Sequence, residues 1–274
     1  MALQPGLIEG RHIAVHLPNL MGFEQVTEML LEHFDTPDQA GKVIILGDYV
    51  HHPAEHFRER YPGRRIVIYQ LEQMVGPVTW HPVEQVIRHV QGADELWDYD
   101  PLNVEFLGWH GVTVDRVIPM LYTGRLRRLP PNPDPRTDVR FGGAICDRRY
   151  RIFSDLQPWF QGRISFAWVI GFRGADFDRA LADAKIVLNL HAFEPWHRQE
   201  QTRIFYPLIN GRMVVSEASA TNVFGDCIVE APPEELGETI HYWLAEDRWR
   251  GFGPAAAERY REASIRRLAE ITAR

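Results

Sequence analysis

The stretch from residue 184 to residue 217 constrains the fold most strongly, because its hydrophobic pattern changes twice. Residues 186–190 are an apolar run of strand length, and residues 201–209 carry apolar side chains at helical spacing. Residues 213–215 return to an apolar run that fits a strand. The stretch is therefore predicted to form a strand, a helix and a second strand.

A polar loop joins the first of these strands to the helix. It contains two histidines and two glutamates, namely His191, Glu194, His197 and Glu200. Because open α/β sheets bind ligands at the carboxyl ends of their strands, the loop predicts a ligand site. His191 directly follows the buried strand, so its imidazole is either a residue at the edge of the core or a contact to phosphate or sugar.

Strands and helices alternate in both halves of the chain. In the first half, strands are predicted at 13–17, 43–46, 65–69, 95–97 and 114–118, with helices at 23–34, 53–61, 82–90 and 101–109. In the second half, the further strands are at 139–142, 164–169 and near Ile228, with helices at 148–160, 176–183, 233–244 and 254–274. This alternation predicts parallel sheets, with a doubly wound arrangement in the first half.

Residues 126–136 separate the two halves. The segment has four prolines within six residues, so it cannot continue a helix or a central strand. We therefore predict a hinge here, with an amino-terminal domain over residues 1–128 and a carboxyl-terminal domain over residues 129–274.

Composition excludes several classes of protein. A formal net charge of −7 gives no general attraction for nucleic acid or anionic lipid. Cys146 and Cys227 form no CxxC pattern, which indicates reduced thiols rather than a disulfide framework or a zinc site. No apolar run is long enough to span a membrane, and the first residues lack a signal-peptide pattern, so a cytoplasmic protein is expected.

A set of residues from the polar loop to the second strand matches a known pattern: Asn189, Leu190, His191, Glu200, Arg203, Phe205, Leu208, Gly211, Val214, Val215, Ser216 and Glu217. The match continues through residues 224–226 and 232–250. In these residues the chain resembles the carboxyl-terminal donor domain of group 1 glycosyltransferases of the GT-B fold, particularly the CgeB-like branch.

The resemblance implies two Rossmann-like domains whose parallel sheets face each other across a cleft. It also implies a hexosyltransferase-like enzyme that moves a sugar from a UDP- or GDP-type nucleotide-diphosphate sugar to a hydroxyl acceptor. That acceptor is a glycan, a lipid-linked compound or a small molecule. Such enzymes use no bound metal and no cofactor beyond the donor, which is a co-substrate.

Several residues are candidates for binding the donor. The amides of Gly142 and Gly143 either approach the diphosphate or form an ordinary turn between a strand and a helix. Arg203 either contacts the donor or forms an ion pair with Glu200, three positions earlier on the helix. Glu200 either accepts hydrogen bonds from sugar hydroxyls or ribose, or stabilises the helix dipole.

One position departs from the family pattern. Tyr206 stands five residues before Gly211, where relatives have an acidic residue that commonly holds the ribose. Ser216 and Glu217 end the second strand and match the pattern. We therefore expect both to line the donor site, with Glu217 supplying the ribose contact that Tyr206 lacks.

Transfer to a hydroxyl acceptor also needs a general base. Residues 69–73 and 97–103 resemble acceptor-side segments of the same family. Glu72 and Asp98 follow successive strands, so each is a candidate base, although each could equally cap a helix or lie in a solvated loop. His191 is the third catalytic candidate.

Three further interpretations remain open. His52 and His56 have the spacing of helical metal ligands but lack an evident third ligand, so no metal site is predicted. Six arginines either form a basic surface for a phosphorylated acceptor or nucleic acid, or solvate helix ends: Arg125, Arg127, Arg128, Arg148, Arg149 and Arg151. The alternatives to the main hypothesis are a transferase acting on a modified base in phage DNA, and a non-catalytic relative that binds nucleotide or glycan.

Overall fold

The computed structural model describes residues 3–18, 23–74, 81–172, 174–192 and 198–273. The chain divides into two compact units. The first unit contains the described residues up to Thr123 and those from Arg267 onward, and the second unit is Gly124–Arg266. Both units are α/β, as predicted. The domain boundary between residues 128 and 129 stays a prediction.

The first unit contains one sheet of six strands. The strands are β1 (Gly6–Glu9), β2 (Ala14–Leu17), β3 (Lys42–Leu46), β4 (Arg65–Gln70), β5 (Glu95–Asp98) and β6 (Arg116–Val117). The helices are α1 (Phe23–His33), α2 (Ala54–Arg60), α3 (Val83–Val90) and α4 (Pro101–Trp109). Every strand and helix that the sequence predicts for this half is found.

The strands of this first sheet lie in sequence order, β1 to β6. Strands β2 to β6 are parallel, and β1, which was not predicted, pairs antiparallel with β2 at the edge. The doubly wound arrangement predicted for this half is therefore wrong, because each crossover moves the chain in the same direction and the strand order never reverses among the described strands.

Both faces of the first sheet are buried where β3 and β4 lie. Every residue of β3 and all but the first of β4 are buried, which suits central strands of a parallel sheet. Ile45 and Ile68 pair in register and belong to a core shared with the helix residues Phe57 and Val86. Trp97 is fully buried and its ring lies 5.5 Å from that of Phe34, so it packs in the core.

The second unit contains one sheet of five parallel strands. The strands are β7 (Thr137–Gly142), β8 (Phe166–Val169), β9 (Ala184–Asn189), β10 (Met213–Glu217) and β11 (Val229–Ala231). The helices are α5 (Asp147–Phe160), α6 (Gly174–Ala182), α7 (Gln201–Ile209), α8 (Leu236–Leu244) and α9 (Trp249–Thr272). The strand, helix and strand predicted at residues 184–217 are β9, α7 and β10.

The strand order of this sheet is β11-β10-β9-β7-β8, so its direction of growth reverses between β7 and β9. In open α/β sheets of this order, the chains that leave the two central strands go to opposite faces and leave a crevice at the carboxyl edge. The fold therefore places the expected ligand site at the carboxyl ends of β7 and β9, where the sequence places Gly142, Gly143 and His191.

The proline-rich segment packs within the second unit, and its predicted role as a hinge stays a prediction. The side-chain amide of Asn210 donates to Leu126 O over 2.9 Å and accepts from the backbone amides of Arg128 and Leu129 over 3.0 and 2.9 Å. The backbone amide of Arg136 donates to Asp183 Oδ1 over 3.1 Å. Side chains thus satisfy backbone amides on both sides of the four prolines.

The last helix begins five residues before its predicted start, at Trp249 instead of Pro254. Pro254 therefore lies inside α9. The preceding Gly253 allows a close backbone approach, since a Cβ atom there would lie 2.2 Å from Gly211 O. Among the described helices, none has the length and apolar content that crossing a bilayer requires.

Candidate functional site

Charged side chains gather at the reversal of strand order in the second sheet. We call this group the switch-point cluster, and it consists of Arg148, Arg149, His191, Glu200, Arg203 and Glu217. The arginines come from α5 and α7, and the other residues follow or end β9 and β10. Parallel strands bring these positions together although they are far apart in sequence.

Arg148 and Glu217 form a buried bidentate ion pair. Arg148 Nη1 donates to Glu217 Oε2 over 2.8 Å and Nη2 donates to Oε1, while the two side chains are only 10% and 5% exposed. Glu217 Oε2 also accepts from the His191 backbone amide over 3.0 Å, and Arg148 donates to His191 O over 3.2 Å. The pair therefore fixes the chain just after β9, and the predicted ribose contact of Glu217 stays a prediction.

Arg149 binds the backbone of the same loop, which follows β9. Its side chain is 1% exposed and donates to Leu190 O over 2.9 and 3.2 Å and to Ala144 O over 2.9 Å. Burial, together with the charge of Arg203, lowers the pKa of Arg149 to about 10. The guanidinium remains charged at neutral pH and links the loops that follow β7 and β9.

Arg203 and Glu200 are the most exposed members of the cluster. Their side chains are 23% and 18% exposed, and Arg203 Nη2 lies 3.7 Å from Glu200 Oε2. Arg149 Nη2 lies at the same distance from Glu200 Oε1, so the ion pairs of the Glu200 carboxylate with described residues are both long. Arg203 Nη1 donates to Asn189 Oδ1 over 3.1 Å, which orients the guanidinium. Both sequence-based readings of Arg203 thus remain compatible with its position.

His191 is a buried, neutral imidazole. Its Nε2 lies 3.3 Å from Ala218 O and 3.2 Å from Ser219 Oγ, while Nδ1 has no hydrogen-bond partner among the described residues. Burial lowers the pKa of His191, although the Glu217 carboxylate acts in the opposite direction. If Nε2 carries the proton and donates to Ala218 O, Nδ1 is an acceptor.

The Gly142–Gly143 turn lies beside this cluster. A Cβ atom on Gly143 would lie 2.9 Å from the Phe141 ring and 3.3 Å from Arg149 Nη1, so this position requires glycine. The Gly143 amide donates to Val169 O over 3.4 Å, and Gly143 O accepts from Trp168 Nε1 over 2.9 Å. The turn is therefore fixed on β8, and the diphosphate contact stays a prediction.

Two other donor-side positions have internal partners. Ser216 is fully buried, accepts from Asn189 Nδ2 over 3.0 Å and donates to Glu217 O over 2.9 Å. Tyr206 is 1% exposed, and its hydroxyl donates to Asp178 Oδ1 over 2.6 Å and accepts from Arg128 Nε over 3.2 Å. The residue at the position of the usual acid thus ties α7 to α6 and to the proline-rich segment.

The two other candidate bases share one polar network in the first unit. Asp98 is fully buried and accepts from Gln70 Nε2, the Asp100 amide and Asn103 Nδ2 over 2.8, 2.8 and 3.1 Å. The same Gln70 and Asn103 amides donate to Glu72 O, each over 2.9 Å. The structure therefore links the Glu72 backbone carbonyl to the Asp98 carboxyl group through Gln70 and Asn103, while the catalytic roles of both residues stay predictions.

Burial raises the pKa of Asp98 well above its ordinary value, although the donated hydrogen bonds oppose this change. The folded protein then keeps a proton that the unfolded chain releases near its ordinary pKa of about 3.9. Stability from this group is full below that pH and is lost as pH rises towards the folded-state pKa. We expect Asp98→Asn to reduce the fall in thermal midpoint between about pH 5 and pH 8.

Asp94→Asn is the matched control in the same unit. Burial alone would raise the pKa of Asp94, but hydrogen bonds from the Ile66 amide and Arg58 lower it. Stability from Asp94 is therefore lost only as pH falls through its folded-state pKa. Thermal melts of both variants across the pH series check this, and an Asp98→Asn slope equal to that of the wild type contradicts the prediction.

The histidine pair, the six arginines and the two cysteines that the sequence singled out have different outcomes. The rings of His52 and His56 stack at 4.4 Å, and no group of three or more possible ligands among the described residues is arranged to hold a metal ion. The six arginines do not form one basic surface, because Arg148 and Arg149 are turned inward to the cluster. Both cysteines are free thiols, as predicted.

Arg149 and Arg148 are the site residues that sequence reasoning placed in the wrong setting. Their signal was present, because an arginine pair in the first turn of the helix after a Gly-Gly turn lies where anions commonly bind. What the sequence does not contain is the pairing of Arg148 with Glu217, which lies in a distant part of the chain.

No protein-family model matches the chain, and no curated protein sequence matches it. Solved structures resemble it in fold. A mutant of S. aureus TarM, in complex with fondaparinux, alpha-GlcNAc-glycerol and UDP, has a TM-score of 0.59 at 11% identity and covers 83% of this chain. The alignment covers 53% of TarM, so the chain spans about half of that protein's length.

Two further structures match nearly the whole chain. Sucrose-phosphate synthase from Thermosynechococcus elongatus has a TM-score of 0.53 at 13% identity. The alignment covers 93% of this chain and 78% of the synthase chain. A glycosyltransferase from Rickettsia africae has a TM-score of 0.52 at 9% identity, covering 93% and 83%. These likenesses show the fold, and the predicted GT-B fold with two parallel-sheet α/β domains is confirmed.

Proposed function

We propose that this chain is a glycosyltransferase that takes a sugar from a nucleotide-diphosphate donor and transfers it to a hydroxyl acceptor. One observation carries the proposal: among the described residues at the reversal of strand order, three guanidinium groups face two carboxylates. One carboxylate, Glu217, is bound on both oxygens by Arg148. The site therefore has an excess of positive charge where this fold binds ligands.

That excess suits the departing diphosphate. Breaking the bond between sugar and phosphate places negative charge on the leaving group, and a fixed cation lowers the energy of that state. Arg203 is the member of the cluster placed to do this, because it is partly exposed and held by Asn189. The start of α5, at Asp147 directly after Cys146, adds backbone amides that favour an anion.

The sugar needs hydrogen-bonding groups near the same place. Both ion pairs of Glu200 with described residues are long, at 3.7 Å, so its carboxylate is able to accept hydrogen bonds from sugar hydroxyls. His191 Nδ1 is an acceptor without a partner among the described residues, so it suits one donor hydroxyl. Its lowered pKa supports a role as a neutral acceptor in preference to a cation.

Between the candidate bases, Glu72 is preferred. Asp98 is fully buried, burial raises its pKa, and its two carboxyl oxygens already accept hydrogen bonds from three neighbouring donors, so it is poorly placed to take a proton from an acceptor. Asp98 then acts as the residue that positions Gln70 and Asn103, which in turn hold the chain at Glu72. The base takes the acceptor proton as the new bond to the sugar forms.

The donor is of the UDP or GDP type, and the UDP in the TarM complex supports the first of these. The activity is hexosyltransferase-like and proceeds without a metal. The chain itself is a member of the CgeB-like branch. The acceptor is a glycan, a lipid-linked compound or a small molecule.

A non-catalytic role is the second candidate, and Tyr206 favours it. A tyrosine supplies no carboxylate to the ribose. Its hydroxyl is also already engaged by Asp178 and Arg128. On this alternative, the chain binds a nucleotide or glycan without turning it over.

Thermal unfolding with UDP, GDP, CMP, dTDP and their common sugars tests both candidates. A ligand at about 100 times its dissociation constant adds about 2.7 kcal/mol to the free energy of unfolding, which raises the midpoint by several degrees. We expect one nucleotide family to raise the midpoint and one of its sugars to be slowly hydrolysed. Binding without hydrolysis or transfer supports the non-catalytic role, and no shift with any nucleotide contradicts the proposed function.

A further inference from the structure

Arg140 is a buried cation that has no acidic partner among the described residues. It lies in the middle of β7 and is 2% exposed. Its Nε and Nη2 atoms have no hydrogen-bond partner among the residues that the structure describes. Burial lowers the pKa of Arg140 to about 10, so the side chain is charged at neutral pH. A buried charge that no group neutralises reduces stability, and its presence calls for a function.

The surroundings of Arg140 are apolar on three sides. Ala167 of β8 and Val187 of β9 flank it in register, and the ring of Phe177 in α6 lies 4.7 Å from its guanidinium carbon. The aromatic face stabilises the cation in part. It does not satisfy the N–H groups, which need oxygen or nitrogen acceptors in the plane of the guanidinium.

The two unpartnered nitrogens form one recognition edge. The Nε–H and Nη2–H bonds of a guanidinium point the same way, so together they make a fork that fits the two oxygens of a carboxylate or phosphate. In Arg140 this whole edge lacks a partner among the described residues. The unpartnered group is therefore a complete bidentate donor pair, and not a single N–H group.

This edge lies next to the proposed donor site. A Cβ atom on Gly142 would lie 3.9 Å from Arg140 Nη2, and a Cβ atom on Gly143 would lie 3.3 Å from Arg149 Nη1. The Gly142–Gly143 turn thus has a buried guanidinium on each side, one belonging to the switch-point cluster and one outside it. A ligand over this turn meets two separate sites for negative charge.

We propose that Arg140 receives a second oxyanion of the ligand, beyond the diphosphate, and that the donor sugar therefore carries a carboxylate. This inference rests on the proposed function. Phe177 is half-buried and covers the guanidinium, so its ring has to move aside for the carboxylate to enter. An uncharged sugar would leave the fork unsatisfied, and this difference gives selectivity.

The test measures dissociation constants by calorimetry for matched compounds: UDP, UDP-glucose and UDP-glucuronate, with GDP, GDP-mannose and GDP-mannuronate. The wild type is expected to bind one uronate roughly 10- to 100-fold more tightly than its uncharged counterpart. Arg140→Met is expected to abolish that preference and leave the affinity for the free nucleotide unchanged. Arg140→Lys keeps the charge without the fork and is expected to lose most of the preference.

Unfolding of Arg140→Met without ligand gives an independent readout. Removing an uncompensated buried charge while keeping the volume is expected to leave the thermal midpoint unchanged or raise it by a few degrees. Equal weakening of all nucleotides in Arg140→Met would overturn the proposal, because Arg140 would then bind the diphosphate. Unchanged affinities in both variants would overturn it as well.

Failure of the proposed function has a different signature. In that case the wild type binds no nucleotide, and free glucuronate and inorganic phosphate are measured instead. Loss of glucuronate binding in Arg140→Met would still support a carboxylate receptor in a protein of another function. Glucuronate binding that is absent from the wild type, or equal in the two proteins, would overturn the inference.

Discussion

Replacing Arg203 with methionine is expected to lower kcat/KM for sugar transfer by about 100- to 1,000-fold, the range found when one fixed group that stabilises developing negative charge is removed. Methionine keeps much of the apolar stem of the side chain. The loss should fall mainly on kcat, because the charge on the diphosphate grows as the bond to the sugar breaks. Single-turnover kinetics with the donor identified by the binding screen measure this effect.

Arg151→Gln is the matched control for this experiment. Arg151 lies in α5, is exposed, and has the same charge, so its replacement tests for a general effect of surface charge. We expect its kinetics to equal those of the wild type within about twofold, as is usual for an exposed position away from the site. Wild-type kcat in Arg203→Met, or an equal loss in the two variants, would contradict the assigned role of Arg203.

Replacing Arg148 with methionine is expected to lower the free energy of unfolding by about 3–5 kcal/mol, because it leaves the Glu217 carboxylate buried without its cation. Glu217 would keep the hydrogen bond from the His191 amide, but this one bond does not replace two from a guanidinium. The loop after β9 should loosen at the same time. Urea unfolding measures the free energy, and hydrogen exchange at His191 reports on the loop.

Two further variants separate the charge from the contact. In the double variant Arg148→Met, Glu217→Gln no charge is left buried, so most of the lost stability should return. Arg179→Met breaks an ion pair with Asp176 whose side chains are 73% and 66% exposed, and it should change stability by less than about 1 kcal/mol. If Arg148→Met and Arg179→Met lowered the free energy of unfolding equally, burial of the Arg148–Glu217 pair would add nothing to stability.

Most of the fold follows from short-range patterns. The units β9, α7 and β10 are predicted because apolar runs, helical spacing and polar breaks agree along one stretch of sequence. Strand β1 is missed because its four residues, Gly6–Glu9, are only partly buried and show no alternation. The start of α9 is missed because Pro254 indicates a helix start and in fact lies within the helix.

The candidate site is only partly predictable, for a physical reason. Local sequence identifies His191, Glu200 and Arg203 as polar residues at a strand end, and the structure brings these three together. It does not say which charges neutralise one another, since that depends on the strand order. Arg148 with Glu217, and Arg140 with no acid at all among the described residues, are results of that order.

The docked proline-rich segment has a consequence for how such proteins exchange parts during evolution. Since Asn210 and Asp183 satisfy its backbone amides, the segment belongs to the module that follows it. A recombination point within residues 126–136 would leave these partners without their amides in the hybrid protein. Viable chimaeras should therefore join before Gly124, so that an incoming first module arrives without the segment and the resident module keeps it.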